Sequence, residues 1–193
     1  GEYVLRATTP AEGPMRMQTL QAYGAQFITV AGADPPPVIL TTAPAAMLSG
    51  RIVIESERSD ASRGDFFVTA HPDPDAGPTG RWAFEGRFTP DGLFQVRGLA
   101  GTLRLAVMTP PGWWVKSIGV GGLDALHEPL RFSGPDDSRT DVTVVVSDGA
   151  AAVGGRVTDD AGQAVDDYRV VVFSTDERRW FGRSPSVQIT GGP

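Results

Sequence analysis

The chain contains no cysteine, and it has only two histidines and one lysine among its 193 residues. The missing cysteines exclude disulfide bonds, thiolate chemistry and cysteine-based metal sites. No run of about 18 apolar residues occurs, so the sequence predicts no membrane span. The net charge of −6 argues against the clustered positive charge that binding to phosphates needs. We therefore expect no nucleic-acid partner.

The two histidines, His71 and His127, lack the spacing of known catalytic motifs. A zinc carboxypeptidase site needs His-x-x-Glu, but the third residue after His71 is Pro74 and the third after His127 is Leu130. The HExxH, GxSxG and P-loop patterns are also absent from the sequence. We therefore expect no enzyme activity, no catalytic residue and no cofactor, and we interpret both histidines as ordinary loop or edge residues.

Glycine and proline are abundant, with 24 and 16 residues, and short β-branched runs lie between them. Such runs, separated by turn residues, predict an antiparallel β-sandwich or barrel. Helical spacing is arguable only at 10–24, where glycine and proline predict an irregular segment. The run 168–174 is apolar on both faces, which predicts a central strand. The predicted strands are 51–55, 65–70, 93–99, 103–108, 114–120, 141–147, 154–159 and 168–174.

The sequence resembles itself at a period of about 100–105 residues. GEYVLRATTP at 1–10 matches GTLRLAVMTP at 101–110, and LSGRIVIE at 48–55 matches VGGRVTDD at 153–160. This period is the length of one sandwich domain. We expect the C-terminal half of a preceding β-sandwich repeat at 1–45, a complete β-sandwich domain at 46–147 and the N-terminal half of a following repeat at 148–193.

Two interpretations of these ends stay open. In the first, the chain is a window from a longer tandem array. In the second, the two halves meet, within or between chains, and rebuild another sandwich. A half-sandwich exposes strand edges and an apolar face, which favours association. Head-to-tail pairing of such ends does not close on itself and gives an open filament.

Two longer patterns resemble a known family. VGGRVTDDAGQAVDDYRVVVFS at 153–174 has a GxV strand, a D-x-x-G turn and a V-x-V strand, and GLFQVRGLAGTLRLAV at 92–107 continues in the same manner. These patterns resemble carboxypeptidase regulatory-like domains, in a tandem variety found in large secreted bacterial proteins. The resemblance implies seven-stranded immunoglobulin-like or transthyretin-like sandwiches, one complete and two partial, that are non-catalytic modules with an extracellular or cell-surface location.

Trp113 and Trp114 are the candidate contact residues. Neighbours on a strand face opposite sides, so we expect one indole to point outward, towards an interface or a glycan. Alternatively, both flank the core. The acidic loops at 71–77, 134–141 and 158–167 have oxygens that calcium could use. No EF-hand spacing is present, and the formation of turns by Asp and Gly is the favoured explanation. We predict no metal-ligating residue.

The sequence thus predicts a non-catalytic structural repeat of an extracellular or cell-surface bacterial protein, with head-to-tail assembly into a fibre as a hypothesis. The expected partners are neighbouring repeats or other copies of the same protein. The alternative is a carbohydrate- or calcium-binding accessory module of a secreted protein.

Overall fold

The computed structural model describes residues 1–10, 20–32, 34–56, 62–73, 84–149, 151 and 153–192. Strands make up the regular structure of these residues, apart from single 3-10 turns at Arg63–Asp65, Pro135–Asp137 and Glu177–Arg179, so the predicted all-β class is confirmed. In the described part of the chain no helix is long and apolar enough to cross a membrane. The strands are β1 (Glu2–Pro10), β2 (Leu20–Thr29), β3 (Ala43–Pro44), β4 (Ala46–Glu55), β5 (Phe67–Pro72), β6 (Phe84–Arg87), β7 (Leu93–Leu99), β8 (Gly101–Met108), β9 (Trp114–Val120), β10 (Leu123–Asp124), β11 (Leu130–Phe132), β12 (Arg139–Ser147), β13 (Arg169–Phe173) and β14 (Val187–Gly191).

Strands β4 to β12 form two sheets around one core. The first sheet has five strands in the order β10-β9-β12-β4-β7, and the second has four in the order β11-β8-β5-β6. Their pairs are antiparallel except β4 and β12, which run parallel. The strands β10 and β11, two and three residues long, add one edge strand to each sheet beyond the seven strands that the family resemblance implies.

The core of the described residues lies entirely within this sandwich. All buried hydrophobic side chains fall between Ala46 and Val146, and Phe66 and Phe132 are the largest that are completely buried. Along β7, inward Phe94 alternates with exposed neighbours, because successive side chains of a strand point to opposite faces. Complete burial of one such large side chain stabilises the fold by about 1.5–3 kcal/mol.

The parallel pair β4 and β12 comes into very close contact at a glycine. A Cβ atom on Gly50 would lie 2.0 Å from the carbonyl oxygen of Val142, so a side chain at this position would force the two strands apart. The register of β12 on β4 shifts between Arg139 and Val142. The extra residue creates a β-bulge at Thr140 and Asp141, which bends the strand locally.

The remaining described strands form two smaller sheets. One has the order β1-β2-β3, and the other consists of β13 and β14 alone. The register of β13 on β14 repeats that of β5 on β6: Val68 pairs with Gly86, and Val171 pairs with Ile189, 103 residues later in both strands. In contrast, β1 pairs with β2, whereas β8, which it resembles in sequence, pairs with β5 and β11. The predicted number and bounds of the repeats stay predictions.

These terminal hairpins leave large apolar side chains exposed. Val171, Phe173 and Ile189 share one face of the β13–β14 hairpin and are 43%, 54% and 64% exposed. On β2, Phe27 is also largely exposed. Within a single chain the prediction that the run 168–174 is a central strand is wrong, because β13 pairs only with β14 among the described residues.

Two other local predictions are also wrong. The run 154–159 contains one isolated bridge, between Thr158 and Ala164, in place of a strand. The irregular segment expected at 10–24 gives way at Leu20 to the long strand β2. Gly24 lies within this strand, and it allows the backbone at Thr41 to pack closely against it. A Cβ at Gly24 would lie 2.3 Å from the carbonyl oxygen of Thr41. Residues 11–19 lie outside the described part of the chain.

Candidate functional site

The two adjacent tryptophans, at the start of β9 and just before it, face opposite sides of the sheet. Trp113 packs edge-on against the core ring of Phe66, with 5.4 Å between the ring centroids. Trp114 is 40% exposed and pairs with Ser147 on the outer face of the five-stranded sheet. Trp114 is thus the one that an external ligand or partner can contact, and its role in an interface or in glycan binding stays a prediction.

Two of the described acidic side chains, Asp137 and Asp159, stabilise turns. The Oδ2 of Asp137 accepts a hydrogen bond from the backbone N–H of Ser133 at 2.6 Å, and the Oδ1 of Asp159 accepts one from Gln163 at 2.7 Å. Such bonds to nearby backbone are the usual reason for Asp in turns. Within the described ranges no three His, Cys, Asp or Glu side chains come together as possible metal ligands. Asp75 lies outside those ranges.

A largely buried ion pair connects β5 to β8, and the sequence did not predict it. The Nε of Arg104 lies 2.9 Å from the Oδ1 of Asp73, and the two side chains are only 15% and 6% exposed. Arg104 also donates from Nη1 to the carbonyl oxygen of His127, at 2.8 Å. The Cζ of its guanidinium group lies over the ring of Phe181, 3.9 Å from the ring centroid. Arg104 therefore holds the segment before β14 against the sandwich.

Both histidines lie where this C-terminal segment meets the sandwich. His71 is on the inner strand β5, neither in a loop nor at an edge as expected. Its Nε2 lies 3.0 Å from the Oγ1 of Thr69 and 3.1 Å from the Nη1 of Arg183. His127 approaches the Oγ of Ser186 at 3.3 Å. Burial, followed by the charge of Arg183, lowers the pKa of His71 below its usual value of 6.5. The neutral ring can then accept a hydrogen bond from Arg183.

A groove of about 800 Å³ lies on the outer face of the five-stranded sheet. It crosses β12, β4 and β7, where Thr143 pairs with Arg51 and Arg51 with Leu93. Asp141 from the bulge and Arg87 from the end of β6 also line it. Sequence reasoning missed this groove because the three strands that form it, β4, β7 and β12, are far apart in the chain. The available signal was the outward position of each residue on its own strand.

No family model, no curated protein and no solved structure matches the chain. The resemblance to carboxypeptidase regulatory-like domains therefore rests on the sequence patterns alone and stays a prediction.

Proposed function

We propose that this chain is a non-catalytic structural repeat of an extracellular or cell-surface bacterial protein, whose terminal hairpins complete further β-sandwiches with other strands of the same protein. The supporting observation is the incomplete sheet at β13. The hairpin β13–β14 has the pairing register of β5–β6, but the second edge of β5 pairs with β8, and the second edge of β13 has no strand beside it in the described residues.

An added strand would satisfy both needs of this hairpin. Its backbone groups would pair with the open edge of β13, and its sheet partners would cover the apolar face formed by Val171, Phe173 and Ile189. The segment of this chain that resembles β8 in sequence is β1. In our proposal β1 of one copy pairs with β13 of the next, and because this contact is head-to-tail, repetition produces a fibre.

The test is the mass of the chain in solution against its concentration, by light scattering, with negative-stain microscopy of the same samples. We expect the mass to rise with concentration and elongated particles to form. Val171→Asp should shift the chain towards monomer, because it places a charge on the apolar face. Thr190→Asp, on the opposite face of the hairpin, is the matched control and should assemble like the wild type. A well-folded monomer at every concentration contradicts the assembly.

Carbohydrate binding is the second candidate, and the exposed indole of Trp114 favours it. Trp114 lies beside Ser147, whose other neighbour is Glu55, and Glu55 accepts a hydrogen bond from Lys116 at 2.6 Å. An exposed aromatic ring beside polar groups suits a sugar, which has both C–H faces and hydroxyls. A glycan array should show binding by the wild type and its loss in Trp114→Ala.

A further inference from the structure

We propose that the outer-face groove binds a saccharide that carries carboxylates, such as an oligosaccharide of uronic acids. This inference rests on the second candidate function, carbohydrate binding, and assigns a site formed by other residues than Trp114. Four observations carry it: the charge of the groove, its hydroxyl and amide groups, its fixed carboxylate, and its size.

The groove concentrates positive charge on a chain whose net charge is −6. It contains two arginines, Arg51 and Arg87, against the single carboxylate of Asp141. The side chain of Arg51 has no ion-pair or hydrogen-bond partner among the described residues. Arg87 makes a loose exposed pair with Glu85 at 3.6 Å, and its guanidinium carbon lies 5.4 Å from the ring centroid of Phe67. A guanidinium group binds a carboxylate through two parallel hydrogen bonds. The chemistry of the groove therefore favours a ligand with a carboxylate.

The other groups in the groove suit hydroxyls and the apolar face of a sugar ring. Ser49 and Thr143 contribute hydroxyl groups, which both donate and accept hydrogen bonds. The amide of Gln95 is held in place, since its Oε1 accepts a hydrogen bond from the Nε of Arg97 at 2.5 Å. Leu93, half exposed, offers an apolar surface. This mixture fits a sugar better than a fatty acid, which has no hydroxyls for these groups.

Asp141 makes the groove selective among anions. The Oδ2 of Asp141 accepts a hydrogen bond from the backbone N–H of Gly121 at 2.9 Å, which fixes the carboxylate at one end. An anion without hydroxyl groups has nothing to donate to this carboxylate and would be repelled there, whereas a uronic acid can direct a hydroxyl to Asp141 and its carboxylate to Arg51. The volume of about 800 Å³ lies within the range usual for ligand sites.

The test is calorimetric binding of oligogalacturonate at physiological salt, with the methyl-esterified oligomer as the matched neutral ligand. We expect the wild type to bind the acid about tenfold more tightly than it binds the ester. Arg51→Gln should lower the affinity for the acid about tenfold and leave the affinity for the ester unchanged, because it removes the partner of the carboxylate. Arg131→Gln is the control for charge, because Arg131 is exposed on β11 in the other sheet and should bind as the wild type does.

Each contrary result has a distinct meaning. If Trp114→Ala abolishes binding while Arg51→Gln binds normally, carbohydrate binding stands and the groove assignment is overturned. If no acidic or neutral glycan binds, both carbohydrate binding and this inference fail. If oligoglutamate binds as tightly as oligogalacturonate, the groove recognises carboxylates in general, and the assignment to a saccharide is wrong.

Discussion

The hairpins β5–β6 and β13–β14 have the same register but opposite surroundings. In the sandwich, Val68 and Ala70 of β5 are completely buried, whereas Val171 and Phe173, 103 residues later, are 43% and 54% exposed. The difference is that β5 has a third strand on its other edge and a second sheet opposite its inner face. Strand pairing is therefore encoded locally, but burial depends on partners elsewhere.

A two-stranded hairpin is at best marginally stable alone in water. The described contacts that hold β13–β14 to the sandwich involve polar and aromatic side chains just outside the strands, above all Phe181 on Arg104. The hairpin should consequently open at a much lower free energy than the sandwich does. The following predictions test this difference, beginning with the largest effect.

Truncation of one phenylalanine in each region should give the largest difference in the free energy of unfolding. Phe132→Ala removes a ring that is 1% exposed in the core, and we expect it to lower the free energy of unfolding by about 3–5 kcal/mol. Phe173→Ala removes a ring that is 54% exposed and contacts Trp180, so the loss should be below about 1 kcal/mol. Urea unfolding followed by circular dichroism measures both, and equal losses would mean that β13–β14 is as well packed as the sandwich.

The second prediction concerns the ion pair of the sandwich, Arg104 with Asp73, on which the C-terminal segment packs. Asp73→Ala leaves the buried charge of Arg104 without its carboxylate, and we expect a loss of about 3 kcal/mol in unfolding free energy. Asp176, 103 residues later, provides the control, because its partner Arg178 is exposed and its charge stays in water when the carboxylate is removed. Asp176→Ala should therefore have a much smaller effect. Hydrogen exchange of 174–186 should also accelerate in Asp73→Ala, and unchanged exchange there would show that Arg104 does not hold this segment.

The smallest expected effect is a pH dependence of the contact between the C-terminal segment and the sandwich, through His71 and Arg183. Burial and the charge of Arg183 lower the pKa of His71 in the folded state below its value of 6.5 in the unfolded chain. Folding therefore favours the neutral form of His71. Its contribution to the free energy of unfolding is fully present above about pH 6.5, and it is lost as the pH falls below this value and through the lower folded pKa. Protonation also removes the ring nitrogen that accepts the hydrogen bond from Arg183. The charged ring is then repelled by Arg183 and by Arg104, which pairs with His71 on the neighbouring strand.

Hydrogen exchange of 174–186 between pH 7.5 and pH 5, corrected for the intrinsic rate, measures this effect. We expect the C-terminal segment to lose protection at the lower pH before the sandwich does. His71→Gln carries no titratable proton and should remove that change. A segment that stays equally protected across the range would show that the contact of His71 with Arg183 contributes nothing to docking.

The strands of the sandwich could be predicted well because their signals are local. The bounds of β7 and β9 match the sequence prediction to the residue, at Leu93–Leu99 and Trp114–Val120. Side chains alternate along β7, and Gly92 and Gly112, both with φ near +80°, form the preceding turns. Alternation also predicted that only one of the adjacent tryptophans points outward. Such features need no knowledge of which strands become neighbours.

The features that could not be predicted all depend on distant partners. The run 168–174 has the apolar pattern of a central strand, but a central position requires strands on both sides, and β13 has one among the described residues. The pair of Arg104 with Asp73 joins β8 to the residue that follows β5, and each residue alone resembles an ordinary charged surface position. Arg51 likewise becomes part of a groove only because β12 and β7 pair on either side of β4.

The parallel pairing of β4 and β12 has a mechanical consequence. The sandwich begins with β4 and ends with β12, and because these strands run side by side in the same direction, the chain enters at one pole and leaves at the other. A pulling force along the chain would slide the two strands past each other. The ladder from Leu48 to Glu55 would then be loaded all at once, not unzipped bond by bond, which gives the sandwich high resistance to tension.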